Sequence, residues 1–465
     1  MLSLLFTLAL SLRAAPPVDC AALATKFEGI VSAVLVPAAK NLPAHCEVRG
    51  VIAPEAKFAL KLPTTWNERF QMAGNGGSAG VISIGAVDAA IRQGFAAVST
   101  DTGHDAATEP MSSFAWLTPR NPNARRKFLD FAYLAVHETA LLARHIAEAY
   151  YGKPPRYSYF VGCSTGGRQG LVEAQRYPED FDGIIAGAPD LHRTANVMSL
   201  LWILSAQKGP GAIPPGKLPL LAQRVYDKCE ALDGIIEDPR QCSIIPARDF
   251  ANDFTPAQIA ALTRIYDGVR DSKGNLLYPG YPPGSELAWK DNLIGPSDKV
   301  LLSSENHMKF ALLSPPPGPE WTYTMFDYDK DPARLNRADL ELGARHSDMT
   351  AFKRRGGKII QYSGWADQQV NPLPGIAYYE SVPGAASFYR LFMVPGMYHC
   401  HGGPGCGQAD WLRALMQWVE KGIAPDAIEG AHVEDGKTTR TRPLCPYPQM
   451  ARNKGTGFNC ELPHR

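Results

Sequence analysis

The sequence has no excess of charge of either sign, since its 465 residues include 47 basic and 46 acidic side chains. A balanced charge creates no bulk field that would attract nucleic acid or an anionic membrane, so neither is expected as a partner. After the first residues, no stretch approaches the roughly twenty consecutive apolar residues that a transmembrane helix needs. No internal repeat or low-complexity tract is present. The composition is that of an ordinary globular protein.

The sequence also lacks any Cys-x-x-Cys pair and any cysteine and histidine set with zinc-finger spacing. A structural zinc site is therefore not expected. Nine cysteines are present, and disulfides persist mainly in oxidising compartments. Because nine is odd, at least one thiol is unpaired or pairs between chains.

The first residues are similar to a secretory signal peptide. Residues 1–12 are almost entirely apolar, and the small residues Ala14 and Ala15 follow before Pro16. The positively charged beginning usual in such signals is missing. Together with the cysteines, this segment predicts a signal peptide over residues 1–15 and a secreted or periplasmic protein.

Short apolar runs alternate with helical patterns in the first and last parts of the chain. A long helix is predicted over 127–150, and shorter helices over 374–381 and 408–421. Nearly continuous apolar strands alternating with helices predict an α/β fold with a doubly wound, mostly parallel sheet. The predicted strands are 48–52, 58–62, 70–73, 94–100, 157–161, 183–188, 358–362 and 389–394.

This alternation stops between residues 189 and 345, where proline-rich segments and many aromatic residues replace it. A stretch of that length is too long for a plain loop. We therefore expect a lid domain at 191–345, inserted into a catalytic domain formed by 16–190 and 346–465.

The sequence Gly-Cys-Ser-Thr-Gly at residues 162–166 follows a predicted strand and precedes a helical pattern. This context is the one that the Gly-x-Ser-x-Gly nucleophile elbow requires, with the hydroxyl of Ser164 at the tip of a sharp turn. The alternative is an ordinary serine in a glycine-rich turn between strand and helix.

A serine hydrolase also needs a histidine base and an acid that orients it. Asp367 and His399 each follow a predicted strand, in the chain order that a nucleophile elbow demands. Asp367 could instead be a turn or helix-capping residue, and His399 an ordinary loop histidine. His401 is the serious rival as base, and His104 could line the site.

Two cysteines adjoin these candidates, since Cys163 precedes Ser164 and Cys400 follows His399. If the serine and histidine meet, their neighbours fall within disulfide reach, and we expect a Cys163–Cys400 bond. For the oxyanion, the glycine-rich segment 74–77 offers the amides of Gly76 and Gly77. The amide of Thr165, the residue after the nucleophile, is the expected partner.

These features together resemble the tannase and feruloyl esterase family of secreted α/β-hydrolases. The matching stretches cover nearly the whole chain after residue 46 and are 74–77, 100–104, 159–170, 177–183, 356–358, 364–367 and 399–400. The resemblance implies an α/β-hydrolase fold with an inserted lid domain. It also implies a triad of Ser164, Asp367 and His399, fastened by the Cys163–Cys400 bond.

The resemblance implies three further disulfides, which are Cys20–Cys46, Cys229–Cys242 and Cys445–Cys460, and leaves Cys406 unpaired. The chemistry requires no cofactor, but lids in this family usually bind a structural calcium in a cysteine-bounded loop. Here that loop spans 229–242, is about four residues shorter, and lacks one early aspartate. Asp233 and Glu237 are the candidate ligands, and the sequence leaves open whether they converge on an ion.

The prediction is a secreted serine carboxylic ester hydrolase that cleaves small esters of aromatic acids through an acyl-enzyme. Feruloyl and other hydroxycinnamoyl esters, free or attached to plant polysaccharide, are the first choice. Galloyl esters and terephthalate monoesters are the alternatives within the family. A serine peptidase on this fold and a non-catalytic phenolic- or polysaccharide-binding protein are the rivals outside it. Trp321, Tyr323 and Phe326 could line the acyl pocket or form lid core.

Overall fold

The computed structural model describes residues 18–39, 41–231, 235–294, 298–453, 455 and 457–463. The predicted signal peptide lies outside these residues. The strands in chain order are β1 Ile30–Val36, β2 His45–Ile52, β3 Ala56–Pro63, β4 Arg69–Ala73, β5 Ala96–Thr100, β6 Tyr157–Cys163, β7 Gly183–Gly187, β8 Val269–Arg270, β9 Leu276–Tyr278, β10 Lys358–Gly364, β11 Tyr389–Val394, β12 Gln408–Ala409, β13 Ile428–Glu434, β14 Lys437–Leu444, β15 Met450–Asn453 and β16 Phe458–Glu461.

The α-helices surround this framework, and none in the described part of the chain is long and apolar enough to cross a membrane. They are α1 Leu23–Lys26, α2 Ile84–Arg92, α3 Ala124–Leu129, α4 Ala135–Tyr151, α5 Thr165–Arg176, α6 Arg193–Ala206, α7 Leu218–Lys228, α8 Pro246–Asp249, α9 Pro256–Asp267, α10 Asp298–His307, α11 Asn336–Leu342, α12 Thr350–Arg354, α13 Pro372–Ser381 and α14 Trp411–Lys421.

A nine-stranded sheet forms the centre, in the order β1-β2-β3-β5-β4-β6-β7-β10-β11. In this order, the first three pairs (β1–β2, β2–β3 and β3–β5) are antiparallel. All the following neighbours in the sheet, from β5–β4 to β10–β11, are parallel. One face is buried against α4, α5 and α13, and the other against α2 and α14. Strands covered on both faces have no polar side to expose, which explains their continuous apolar runs. The predicted doubly wound α/β fold is confirmed.

Several predicted elements differ from the observed ones by a few residues at their ends, and two helices differ in a further respect. The single helix expected over 127–150 begins at Ala124 and contains a π-helical turn at Asp130–Leu134, which apolar periodicity does not reveal. The helix expected from residue 408 begins at Trp411, because the Asp410 carboxylate accepts the backbone N–H of Arg413 at 3.0 Å and caps it. Gln408–Ala409 instead forms β12 and pairs with β13.

The segment between β7 and β10 contains the helices α6–α12 and the small β8–β9 hairpin. Most of its apolar side chains are buried in two clusters, one of which also contains Phe114, Phe128 and Phe131 from the chain before β6. Trp321 and Phe326 belong to one of these clusters, with their rings edge to face at 6.4 Å. Tyr323 packs against the same cluster. These three aromatic residues contribute to the core of the insertion.

Candidate active site

Ser164 occupies a sharp turn between the end of β6 and the first residue of α5. Its φ of 62° and ψ of −122° lie in a region that non-glycine residues rarely adopt. The close approach of strand and helix requires glycine at two positions. A Cβ on Gly162 would lie 2.6 Å from the main chain of Gly166, and one on Gly167 would lie 2.3 Å from the carbonyl oxygen of Gly187. This strained geometry is that of a nucleophile elbow.

Asp367 and His399 meet beyond the carboxyl ends of the neighbouring strands β10 and β11. His399 Nδ1 donates to Asp367 Oδ2 at 2.8 Å. The other oxygen, Oδ1, accepts the backbone N–H groups of Gln369 at 2.8 Å and Val370 at 2.9 Å. With its carboxylate held on both sides, Asp367 fixes the imidazole in the tautomer whose Nε2 is free to accept a proton.

The electrostatics of this pair favour the protonated form of His399. Burial lowers the pKa of His399, but the charge and hydrogen bond of Asp367, with a smaller contribution from the charge of Asp190, outweigh burial. The pKa of His399 is therefore raised above its usual value. A raised pKa suits a group that must take a proton and hold it while charge develops on the substrate.

A disulfide fastens the turn that carries Ser164 to the loop that carries His399. Cys163 and Cys400 are bonded, with their Cα atoms 6.0 Å apart. The expected pairs Cys20–Cys46, Cys229–Cys242 and Cys445–Cys460 are also bonded. Cys406 is a buried free thiol, as the sequence predicted.

The glycine-rich segment 74–77 lies directly beside the elbow. The Thr165 hydroxyl donates to the backbone carbonyl of Gly77 at 2.5 Å. Thr165 is the first residue of α5, where backbone N–H groups have no intrahelical acceptor and the helix dipole is positive. Gly77 lines the same cleft as Ser164, and Gly76 precedes it. The three predicted oxyanion residues are thus grouped around the nucleophile.

Ser164 opens into a cleft of about 340 Å³ whose walls come largely from the insertion. One stripe of α6 and one stripe of α10 face it, each with residues three and four positions apart. The lining residues are Gly77, Ser78, Met111, Ser164, Asp190, Arg193, Asn196, Val197, Leu200, Asn292, Lys299, Val300, Ser303, Ser304, His307, Gln369 and Val370.

Several of these residues were missed by sequence reasoning. Asp190 follows a buried strand almost directly, and that position was a signal that could have identified it. Arg193, Asn196 and His307 lie in the insertion, where no motif marks them. They reach the cleft because α6 and α10 pack against each other.

The competing histidines are placed elsewhere. The side chain of His401 is exposed, whereas Asp367 binds His399. His104 is buried and stacked on Phe114 with ring centroids 3.8 Å apart, and burial lowers its pKa to about 4. A further histidine, His137 of α4, binds Asp180 at 2.6 Å and is not part of the cleft lining.

The candidate calcium ligands do not offer a ready site. Asp233 lies outside the described residues. Both oxygens of Glu237 accept hydrogen bonds from Arg442, at 2.6 and 2.7 Å, and the carboxylate of Asp238 binds Arg240. A guanidinium repels a cation placed on the same carboxylate, so Glu237 and Asp238 do not fit a calcium ion.

Comparison with known proteins agrees with this geometry. Residues 41–312 and 320–461 match the family described as "Tannase and feruloyl esterase". The chain is 33% identical to mono(2-hydroxyethyl) terephthalate hydrolase of Piscinibacter sakaiensis, over 91% of this chain and 86% of that protein. It is 31% identical to probable feruloyl esterase B-1 of Aspergillus terreus, over 85% and 80%.

Solved structures give the same result. An esterase from Aspergillus oryzae superposes with a TM-score of 0.83 at 26% identity, covering 95% of this chain and 99% of that one. Tannin acyl hydrolase from Aspergillus niger shares the fold with a TM-score of 0.77 at 20% identity, over 97% and 94%. The chain is therefore a carboxylic ester hydrolase and belongs to the tannase and feruloyl esterase family.

Proposed function

We propose that this chain is a serine esterase that hydrolyses esters of aromatic acids, hydroxycinnamoyl esters first, through an acyl-enzyme on Ser164. One observation carries the proposal. The buried Asp367 binds His399, and the Cys163–Cys400 disulfide fastens the loop of His399 to the turn that carries Ser164. That turn joins a strand to a helix and is strained at Ser164. A nucleophile, a base and an orienting acid are the groups that acyl transfer requires.

Acylation begins when His399 Nε2 takes the proton of Ser164 Oγ as this oxygen attacks the ester carbonyl carbon. Asp367 holds the imidazole in place and stabilises its positive charge without taking the proton. The tetrahedral intermediate collapses when the carbon–oxygen bond to the alcohol breaks and His399 returns the proton to that oxygen. A water molecule then repeats the sequence on the acyl-enzyme, releasing the acid and restoring Ser164.

The backbone N–H of Thr165 and those of Gly76 and Gly77 stabilise the oxyanion. Fixed donors aimed at the developing charge cost no reorganisation during the reaction, and a single one contributes about 10²–10³ in rate. The hydrogen bond from the Thr165 hydroxyl to Gly77 supports this role, because it holds the glycine segment against the elbow.

The cleft supports an aromatic acyl group. Val197, Leu200 and Val300 give it apolar walls, and polar groups line the same cleft. Feruloyl esters are the first choice, and the feruloyl esterase relatives favour them. Terephthalate monoesters are the second candidate, favoured by the similarity to the terephthalate monoester hydrolase. Galloyl esters are the remaining family substrate.

Residues 191–345 act in this proposal as a lid domain over Ser164. The four disulfides and the predicted signal at 1–15 support a secreted or periplasmic location. In such a compartment, the ester substrate can be a small molecule or a feruloyl group attached to plant polysaccharide.

Ser164→Ala tests the mechanism. We expect turnover of methyl ferulate, methyl gallate and a terephthalate monoester to fall by roughly 10⁶-fold, because the nucleophile is lost. His401→Ala is the matched control and should retain turnover within about threefold, since its side chain is exposed and Asp367 binds His399 instead. Unchanged turnover by Ser164→Ala would refute the proposal.

A further inference from the structure

A chain of hydrogen-bonded polar groups lines part of the cleft. We call it the polar wall, and it consists of Ser112, Asp190, Arg193 and His307. Arg193 Nη1 donates to Asp190 Oδ2 and Nη2 to His307 Nε2, each at 3.1 Å. His307 Nδ1 is hydrogen-bonded to the Ser112 hydroxyl. All four side chains are buried, although three of them line the substrate cleft.

The polar wall is neutral in total. The charge of Arg193 is matched by that of Asp190. Burial, followed by the adjacent charge of Arg193, holds the pKa of His307 well below its usual value, so this histidine is uncharged at neutral pH. The remaining cation of the lining is Lys299, which is exposed at the rim. Inside the cleft, the guanidinium of Arg193 therefore has its charge already compensated.

Two acceptor atoms of the cleft-lining residues also lack a hydrogen-bond donor within the described part of the chain. Asp190 Oδ1 and the nearby Asn196 Oδ1 are buried, and neither has a donor among the described residues. The Asn196 amide nitrogen donates to the backbone carbonyl of Gln369 at 3.3 Å, which fixes the side chain with its oxygen as the unpaired atom. A buried acceptor without a donor is unfavourable by about 1–3 kcal/mol.

These two features distinguish the substituents that an aromatic acyl ring can carry. A phenolic hydroxyl is uncharged and brings a donor for the unpaired Asp190 Oδ1 or Asn196 Oδ1. A carboxylate brings a charge and further acceptors, and a buried charge without a partner is strongly unfavourable. Arg193 would be the natural partner for that carboxylate, but Asp190 already binds it.

We propose that Asp190 determines the substrate preference of this esterase. By binding Arg193 it keeps the polar wall neutral, and the cleft selects acyl rings with hydroxyl or methoxy groups over rings with a carboxylate. This inference rests on the proposed function, since it concerns the acyl group that Ser164 receives. It assigns the terephthalate type of substrate a lower rate and names the residue responsible.

A substrate series tests the preference on the unmodified protein. The substrates are methyl cinnamates that differ only at the para position, with a hydroxyl, a methoxy group or a carboxylate. We expect kcat/KM for the carboxylate to be roughly 10- to 100-fold below that for the hydroxyl. Equal values for the two would overturn the proposal.

The variant Asp190→Asn tests whether Asp190 determines this preference. Asp190→Asn removes the compensating charge and leaves Arg193 available to a substrate carboxylate, so the ratio of carboxylate to hydroxyl kcat/KM should rise at least about tenfold. Asp253→Asn is the matched control, because it removes the carboxylate that binds Arg224 on the exposed surface of the insertion. It should leave the ratio unchanged.

A double variant separates charge from simple disruption. In Asp190→Asn with Arg193→Gln, two uncharged side chains replace an ion pair whose net charge is zero. The ratio of carboxylate to hydroxyl kcat/KM should then return to within about threefold of its value in the unmodified protein. If Asp190→Asn shifts this ratio no more than the Asp253→Asn control does, the proposal is overturned. If Asp190→Asn does not fold, as a thermal melt would reveal, the para series decides alone.

Different results would refute the catalytic role of Ser164 and the selective role of Asp190. Turnover that depends on Ser164 but shows no para preference refutes the role of Asp190 and leaves the esterase mechanism standing. Turnover that survives Ser164→Ala refutes the mechanism itself, whatever the substrate preference.

Discussion

At the scale of single residues, the Asp367–His399 pair makes a prediction about pH. Only unprotonated His399 can accept the Ser164 proton, so kcat/KM should rise with pH through the pKa of His399. Because the charge of Asp367 contributes to raising that pKa, the acid limb should lie above the value of about 6.5 usual for histidine.

Asp367→Asn should move this limb to lower pH, since the neutral amide no longer favours the imidazolium. It should also lower kcat roughly 10⁴-fold, because the amide can stabilise the wrong imidazole tautomer. The measurement is the pH profile of kcat/KM for methyl ferulate. A limb that moves upward, or a loss smaller than about tenfold, would contradict the assignment of Asp367.

At the scale of elements, the Cys163–Cys400 bond joins the β6–α5 turn to the loop after β11. The bond spans 237 positions, whereas Cys445–Cys460 spans 15. In the chain-entropy account, removing the longer crosslink should cost about 5 kcal/mol of unfolding free energy and removing the shorter one about 3 kcal/mol.

Paired alanine variants test both bonds by denaturant unfolding and by kcat. Only Cys163→Ala with Cys400→Ala should also reduce kcat, by roughly 10²-fold, because it releases the nucleophile from the base. The pair Cys445→Ala with Cys460→Ala is the control and should retain kcat. Equal kcat for the two pairs would show that the bond does not position the active site.

The elements that the sequence predicted are those whose burial leaves a pattern. β6, β7, β10 and β11 are covered on both sides and have apolar runs, and the residues of the proposed triad follow the ends of such strands. β14 was not predicted because its residues, Lys-Thr-Thr-Arg-Thr-Arg-Pro-Leu, are mostly polar and exposed. A strand held by backbone hydrogen bonds at the surface leaves no hydrophobic signal.

At the scale of the whole molecule, the insertion limits what a sequence can predict. The sequence predicts its extent, residues 191–345, from a break in the alternation of strands and helices. The sequence does not predict the composition of the cleft, because Arg193 on α6 and His307 on α10 are 114 positions apart and meet only through tertiary packing. The same limit applies to Trp321 and Phe326, whose place in the core of the insertion depends on contacts between its helices.

The link between the insertion and the C-terminal strands leads to the last prediction. Glu237, in the loop closed by Cys229–Cys242, binds Arg442 of β14. A positive side chain thus occupies the carboxylate that a calcium ion would need.

A bound ion stabilises a folded protein in proportion to its occupancy, and we expect no calcium to be bound here. Millimolar EDTA should therefore change Tm by less than about 1 °C, and added calcium should leave Tm unchanged. Glu237→Gln, which weakens the ion pair, should lower the unfolding free energy by about 1 kcal/mol with or without calcium. A fall of several degrees in EDTA that calcium reverses would show instead that Asp233 and its neighbours bind the ion despite Arg442.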